Sequence, residues 1–421
     1  MIKKLVALLL FVSSCSFLCA QTIKTDVLVI GQTPSGIAAA IQSARSKVKT
    51  VLTGANQNMP GGVSVISAAS DLPAGIWSEF RARVHEFYKG KPGFDTGDNG
   101  ELKFEGTMAA SILKKITDTV KNLSSYPNSL FTSIKKDGDR WEVRISQNEK
   151  VVTIKARVVI DATEHGAVAA KLNTAAVDGV SRLNYRSKIY RTSIASAANL
   201  SFVPLNAVIL KGTDNLLVTE KALSAERDIQ WLPLQLELGQ GVGATAAYCA
   251  FFKTTTKNLK VRIIQGEILD FNGRLIPFAD IPLHDADWRA IQQVAATGML
   301  EGSEAEDKNP QLFFQPDASV NTAEVKPVLT EIYTRAFLWF NREKPAEKFT
   351  VGNMLSLISD YTLTEPQVLK LNIQKAWKSQ YKFKLDFNPG RPITRREFAV
   401  LANKFLNPFA RTVDLDGRLV N

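Results

Sequence analysis

Apolar residues follow different periods along the chain, and each period marks a kind of element. Val27-Leu28-Val29-Ile30 is a continuous apolar run without polar alternation, the pattern of a parallel strand buried on both faces. It leads into Gly31-Gln32-Thr33-Pro34-Ser35-Gly36, a helix over 36–46 with alanine or apolar residues on most faces, and a second strand at 49–52. Further on, the pattern predicts a helix over 107–123, a strand at 129–134, and strands at 141–146 and 151–154. Lys136-Asp137-Gly138-Asp139 supplies the Asp-Gly of a hairpin between two of these strands, completing a three-stranded meander. Val158-Val159-Ile160 reads as a buried strand returning to the first sheet.

Past residue 280 the period becomes helical. A helix starts at Asp287-Trp288, with Ile291, Val294 and Ala295 on one face. Phe314-Gln315-Pro316-Asp317-Ala318-Ser319-Val320 then reads as a turn before a second helix, with Asn321 or Thr322 placed to cap it. A second partial copy of this unit lies at 387–398, where Thr394 and Glu397 have the spacing of a capping box.

The first strand, turn, helix and second strand form a βαβ unit of about thirty residues, the layout of a dinucleotide site. Gly31 permits the tight turn, and Gly36 lets the helix pack close to the sheet. The free N–H groups and partial positive charge of the helix start, near Ser35, then favour a pyrophosphate. Two residues depart from that pattern. Thr33 stands at the middle glycine position, and Thr53 ends the second strand, where an Asp or Glu ordinarily binds ribose. A βαβ unit without a ligand produces the same pattern. The Lys-Ser/Thr of a phosphate loop is missing after Gly36, which argues against a nucleotide triphosphatase. Gly61-Gly62 follow in a loop that brings backbone near a cofactor or makes a plain turn. The small residues after Asp161, through Gly166, allow close contact with a ligand at the carboxyl edge of the sheet.

Composition limits the alternatives. With 45% hydrophobic and 22% charged residues and a mean hydropathy of −0.05, the chain is neither disordered nor a polytopic membrane protein. Residues 1–20 carry Lys3 and Lys4, an apolar run and a small-residue end, the layout of a secretory leader cleaved after Ala20. Val12-Ser13-Ser14-Cys15 also resembles a lipobox, in which Cys15 would carry a lipid anchor. Losing Lys3 and Lys4 with the leader lowers the formal charge of +11 by two. That balance favours acidic polymers or sugars, but no basic and aromatic run suggests nucleic acid. Cys249 has an apolar setting that predicts a buried thiol. His85, His165 and His284 lack neighbouring ligands at metal spacings, so no metal site is expected.

The motif order resembles that of FAD-dependent oxidoreductases of the glutathione-reductase-like superfamily, and within them an exported bacterial branch loosely called xanthan lyase-associated. The resemblance rests on residues 29–36, Gly61-Gly62, 72–80 and 160–166. It continues through Pro204 to Ile209, 215–220, and Gly239 to Ala247. It implies an α/β fold: a Rossmann-like FAD-binding domain with a three-stranded meander, a short middle segment and a C-terminal helical module. The divisions are 21–175 and 204–280 for the two parts of the FAD domain, 176–203 for the shortened substrate segment, and 281–421 for the helical module. By the same resemblance, Gly31, Thr33, Ser35, Gly36 and Thr53 surround the ADP half of FAD. Gly61, Gly62, Asp161, Gly166, Gln240, Gly241 and Gly243 lie along the flavin half, the last three in a helix whose N-terminus faces the flavin. The segments near 316 and 394 resemble S-layer-homology repeats, which implies a contact with cell-wall polymers.

Only about forty residues separate Gly166 from Pro204, less than the family's substrate segment, so the resemblance assigns no catalytic residue. Tyr185, Arg186, Tyr190 and Arg191 in that stretch suit a substrate carboxylate or sugar, or else a solvated loop. The expected function is an envelope FAD-dependent oxidoreductase acting on a small or sugar-like substrate. The alternative is a protein that keeps the fold but binds polysaccharide without catalysis. Hydrolase and lyase motifs are not found.

Overall fold

The computed structural model describes residues 22–56, 61–94, 100–174, 179–223, 228–305 and 310–420. The leader and its lipobox lie outside the described residues.

The apolar runs form a five-stranded parallel sheet. Its strands are β1 (Val27–Gln32), β2 (Thr50–Asn56), β3 (Leu123–Pro127), β4 (Val158–Asp161) and β5 (Leu216–Val218), in the spatial order β5-β4-β1-β2-β3. Central strand β1 has every residue from Val27 to Gly31 buried, which explains its lack of alternation. Because β2 follows on one side of β1 and β4 pairs on the other, a crevice opens between β1 and β4 at the carboxyl edge of the sheet. The meander appears as strands Ser129–Asp137, Arg140–Gln147 and Lys150–Ala156, with Thr22–Lys24 added in parallel to the last.

Two helices cover the sheet beneath that edge. Helix α1 (Pro34–Arg45) starts with Thr33 as its cap and Pro34 in its first turn, where proline's missing N–H does no harm. Helix α2 (Leu232–Phe251) is almost wholly buried. The two meet through glycine: a Cβ on Gly239 would lie 2.1 Å from the Ser35 carbonyl oxygen, and one on Gly243 2.5 Å from that of Ala39. Only hydrogen at these positions permits so close a crossing. Helix Gly106–Asp118 ends before the predicted 123, where the chain enters β3.

The middle segment is not a solvated loop. Residues 181–204 form a small antiparallel sheet of Ser181–Arg182, Ser201–Pro204 and Ser193–Ser196, and both Tyr190 and Arg191 are 1% exposed. The C-terminal region provides their partners. Arg191 pairs with Glu331, the Tyr185 hydroxyl accepts the Gly302 N–H, and Gly298 leaves room for the Tyr190 hydroxyl. Arg186 alone of the four remains exposed.

In the C-terminal region the turn-and-helix unit occurs three times. Helices α3 (Thr322–Ile332), α4 (Val351–Thr362) and α5 (Arg395–Leu401) each follow a short extended segment. Their apolar residues Val320, Phe349 and Ile393 close a ring of backbone hydrogen bonds. Val320 N–H donates to Ile393, Ile393 to Phe349 and Phe349 to Val320, at 3.0, 2.9 and 2.9 Å. Thr394 and Glu397 form the predicted capping box, and Thr350 with Asn353 forms another. Asn321 occupies the cap position of α3, but its side chain instead accepts from Lys348 Nζ. The helix predicted near Trp288 is present at Trp288–Ala295. No helix among the described residues is long and apolar enough to cross a membrane.

Candidate cofactor site

The carboxyl ends of β1, β4 and β5 converge on the start of α1. Gly31, with φ +117°, lies so close to the Ala162 carbonyl that a Cβ would sit 2.1 Å from its oxygen. Gly36 is pressed against Gly31, where its Cβ would be 2.2 Å from the carbonyl oxygen. Both glycines therefore serve the β1–α1–β4 junction.

Thr33 seals this junction. Its Oγ1 accepts the Gly36 N–H and donates to the Ala162 carbonyl, each at 3.1 Å. The hydroxyl at the middle glycine position thus caps α1, worth about 1 kcal/mol relative to alanine. Next to it, the buried Ser35 Oγ donates to Glu220 Oε1 at 2.5 Å and lies 2.8 Å from Thr219 Oγ1. Glu220, 3% exposed, opens the turn directly after β5, and Gln235 Nε2 lies 3.5 Å from its other oxygen. A carboxylate therefore sits at the start of α1. Gly166, with φ +68°, lies under the Lys221 side chain, which joins the loop after β4 to the turn after β5.

Gly31, Thr33, Ser35, Gly36 and Gly166 are thus brought to one edge. Asp161 lies beside them, but its carboxylate faces the protein. It accepts from Thr163 N–H and Oγ1 and from the N–H groups of Val168 and Ala169, seating the short helix Ala167–Lys171. Burial raises its pKa above the usual carboxylate value.

The remaining predicted residues stand elsewhere. Thr53 is buried and donates to the Val29 carbonyl at 3.2 Å, so its hydroxyl is engaged inside the sheet. Gly61 and Gly62 are exposed, and the Gly62 carbonyl accepts the Gly106 N–H. Gln240, Gly241 and Gly243 are not at a helix N-terminus, because α2 begins at Leu232 and places them about two to three turns inside it. Gln240 holds the Ile76 N–H and the Phe271 carbonyl. A Cβ on Gly241 would lie 2.4 Å from the Ile194 carbonyl oxygen, so this glycine, like Gly243, serves packing.

Sequence reasoning missed Glu220. Its position after an apolar strand end was visible, but its partner Ser35 is 185 residues away. Among the described residues, no group of three His, Cys, Asp or Glu side chains is arranged to hold a metal ion.

Residues 26–180 match a family model described as FAD dependent oxidoreductase. This part of the chain is similar to that family. FAD is the family's cofactor, and an oxidoreductase is its general activity. No curated protein matches the chain. Among solved structures, it is similar to the p-nitrophenol 4-monooxygenase PnpA of Pseudomonas putida DLL-E4, with 11% identity, 60% of this chain and 85% of the other covered, and a TM-score of 0.36. For THI4 of Thermovibrio ammonificans the values are 17%, 59%, 96% and 0.32. For the flavin-dependent monooxygenase PieE, solved with FAD and substrate, they are 15%, 38%, 33% and 0.29.

The start of α1 fits the phosphate end of that cofactor. Its donor set is a buried serine hydroxyl at a helix N-terminus, which is engaged by the chain's own Glu220. Thr53 does not add to the set, since its hydroxyl is directed at Val29.

Proposed function

We propose that this chain is an FAD-dependent oxidoreductase that works after export, at the cell envelope, on a small or sugar-like donor. The observation that carries the reading is the anion seat at the start of α1, formed by Ser35 within the segment that matches the FAD family. Ser35 and the first turn of α1 would hold the pyrophosphate. Gly31 and Gly36 let the strand, helix and β4 loop close around that seat, and Thr33 fixes the first turn. FAD would supply hydride acceptance and electron transfer to oxygen or another acceptor; the protein would supply orientation and electrostatics.

The finer assignment follows the motif order: a glutathione-reductase-like protein of the exported, xanthan lyase-associated branch. The leader pattern of residues 1–20 supports export, with Cys15 as the anchor if the lipobox is used. The three turn-and-helix copies support an S-layer-homology-like module contacting wall polymer. In that module Arg395 and Arg396 are engaged internally, by Glu324 and by Asp285 with Asp287. Polymer contact would therefore use other side chains.

The test is anaerobic mixing of FAD-loaded protein with a panel of reducing sugars and small alcohols. Saturable bleaching of the visible flavin absorbance by one class identifies the donor; no bleaching by any of them counts against the oxidoreductase reading. The engaged Thr53 hydroxyl favours a second reading, in which the fold is kept for polysaccharide binding without catalysis. Salt-dependent retention on polysaccharide by protein that binds no FAD would support it.

A further inference from the structure

We propose that the end of α2 is a contact for an anionic membrane surface: Phe251, Phe252 and Ile263 enter the acyl region, and Lys47, Lys253 and Lys260 meet the headgroups. This rests on the envelope reading above and is independent of the cofactor. Helices α1 and α2 run in parallel, since Gly239 meets Ser35 and Gly243 meets Ala39, so Phe251 lies at the amino edge of the sheet, opposite the cofactor crevice. There Phe251 and Phe252 are 61% and 55% exposed, and Ile263 is 46% exposed. The three border one groove of about 400 Å³, whose buried wall includes Ala244, Ala247 and Ile264.

Charge selects the occupant. Lys253, Lys257 and Lys260 follow the two phenylalanines with no acid anywhere in residues 239–266, and Lys47 lines the groove from just beyond α1. All four lysines are exposed, and Lys257 pairs with Asp214. The groove's acids, Glu267 and Asp270, lie toward the far end of the helix Val261–Asp270, where the next residue, Phe271, meets Gln240 midway along α2; Asp270 is paired with Arg289. The end that carries the phenylalanines is therefore basic. Apolar side chains ringed by lysines suit a lipid interface, with the rings among the acyl chains and the ammonium groups at the phosphates. A second copy seated on this face would instead oppose lysine to lysine. The chain also enters the fold at this edge: the Asp26 and Val27 N–H groups donate to the carbonyl of Lys49, two residues from Lys47. A lipid on Cys15 would be seven residues from Thr22, a reach of at most about 25 Å, which would hold the same edge toward the bilayer.

The experiment measures co-sedimentation of the chain without residues 1–20, which keeps every described residue, with vesicles of phosphatidylglycerol and phosphatidylethanolamine and with neutral phosphatidylcholine vesicles, at low and high salt. Wild type is compared with F251S/F252S and K253Q/K260Q, and thermal melts establish that both variants fold. The expected result is binding of wild type to the anionic vesicles that weakens in high salt and on neutral vesicles, and at least about tenfold weaker binding by each variant. Equal binding by wild type and F251S/F252S overturns the proposal, as does failure of wild type to sediment with anionic vesicles at low salt. A wild-type dimer that F251S/F252S converts to monomer, with no vesicle binding by either, overturns it in favour of a second copy. Fractionation of the full chain in a bacterial host separates this from the envelope reading. A full chain found in the envelope while the shortened one ignores vesicles leaves that reading standing and overturns only the contact; a full chain retained in the cytosol overturns the reading itself.

Discussion

Arg191 and Glu331 face each other in a two-pronged ion pair, with Nη1 and Nη2 donating to Oε1 and Oε2 at 2.9 and 2.8 Å. The pair ties the middle segment to α3. The arginine side chain is 1% exposed and the glutamate 34%, so the arginine loses more when the pair is broken. Glu331→Gln is expected to destabilise the chain by about 1–3 kcal/mol in urea unfolding. The hydrogen bond from Arg191 holds the Glu331 carboxyl below its ordinary value. A depressed pKa contributes stability above the unfolded value and loses it as pH falls through the folded one. The difference between wild type and variant should therefore shrink on acidification.

In a second ion pair the carboxyl is shifted the other way. Glu237 in α2 accepts from Arg274 at 2.6 Å, both side chains are under 5% exposed, and Arg274 also donates to the Leu72 carbonyl. Burial pushes the Glu237 carboxyl up to about 7 despite the arginine. A raised pKa gives stability below the unfolded value that is lost as pH rises through the folded one. Arg274→Met leaves the carboxyl without its cation and should cost about 3–5 kcal/mol. Paired melts at about pH 5 and about pH 8 should show the larger loss at the higher pH, where the lone carboxyl would have to ionise.

The α1–α2 crossing depends on Gly239. An alanine there would place its Cβ 2.1 Å from the Ser35 carbonyl oxygen, and backbone cannot yield as a side chain can. Gly239→Ala is expected to cost about 1–3 kcal/mol in denaturant unfolding. It should also weaken FAD binding, because the displaced residue is Ser35 itself.

Cys249 is 1% exposed, and burial pushes its thiol up to about 12. It should remain unreactive toward a disulfide reagent at neutral pH in the folded protein and react once the protein is unfolded in denaturant.

The β1–α1–β2 unit was legible in the sequence because its determinants are local: an unbroken apolar run, a glycine turn and a helix start within a few residues. The meander was legible for the same reason, through Asp137-Gly138. The role of Gly241 and Gly243 was misread because a glycine that admits a cofactor and a glycine that admits a neighbouring strand or helix look alike in sequence. Tyr190 and Arg191 resembled loop residues because the elements that bury them, around Gly298 and Glu331, come more than a hundred residues later. The copy at Phe349 escaped notice because Asn353, not a glutamate, completes its capping box. Glu220 was invisible as a site residue for the most physical of these reasons: its meaning is its contact with Ser35, which only the closed sheet creates.

The central claim is that the start of α1 is an FAD seat. The most direct measurement is the visible absorbance spectrum of the chain without residues 1–20, after incubation with excess FAD and desalting. The account predicts a retained flavin spectrum with about one FAD per chain. A colourless protein that is nonetheless folded by circular dichroism would contradict it.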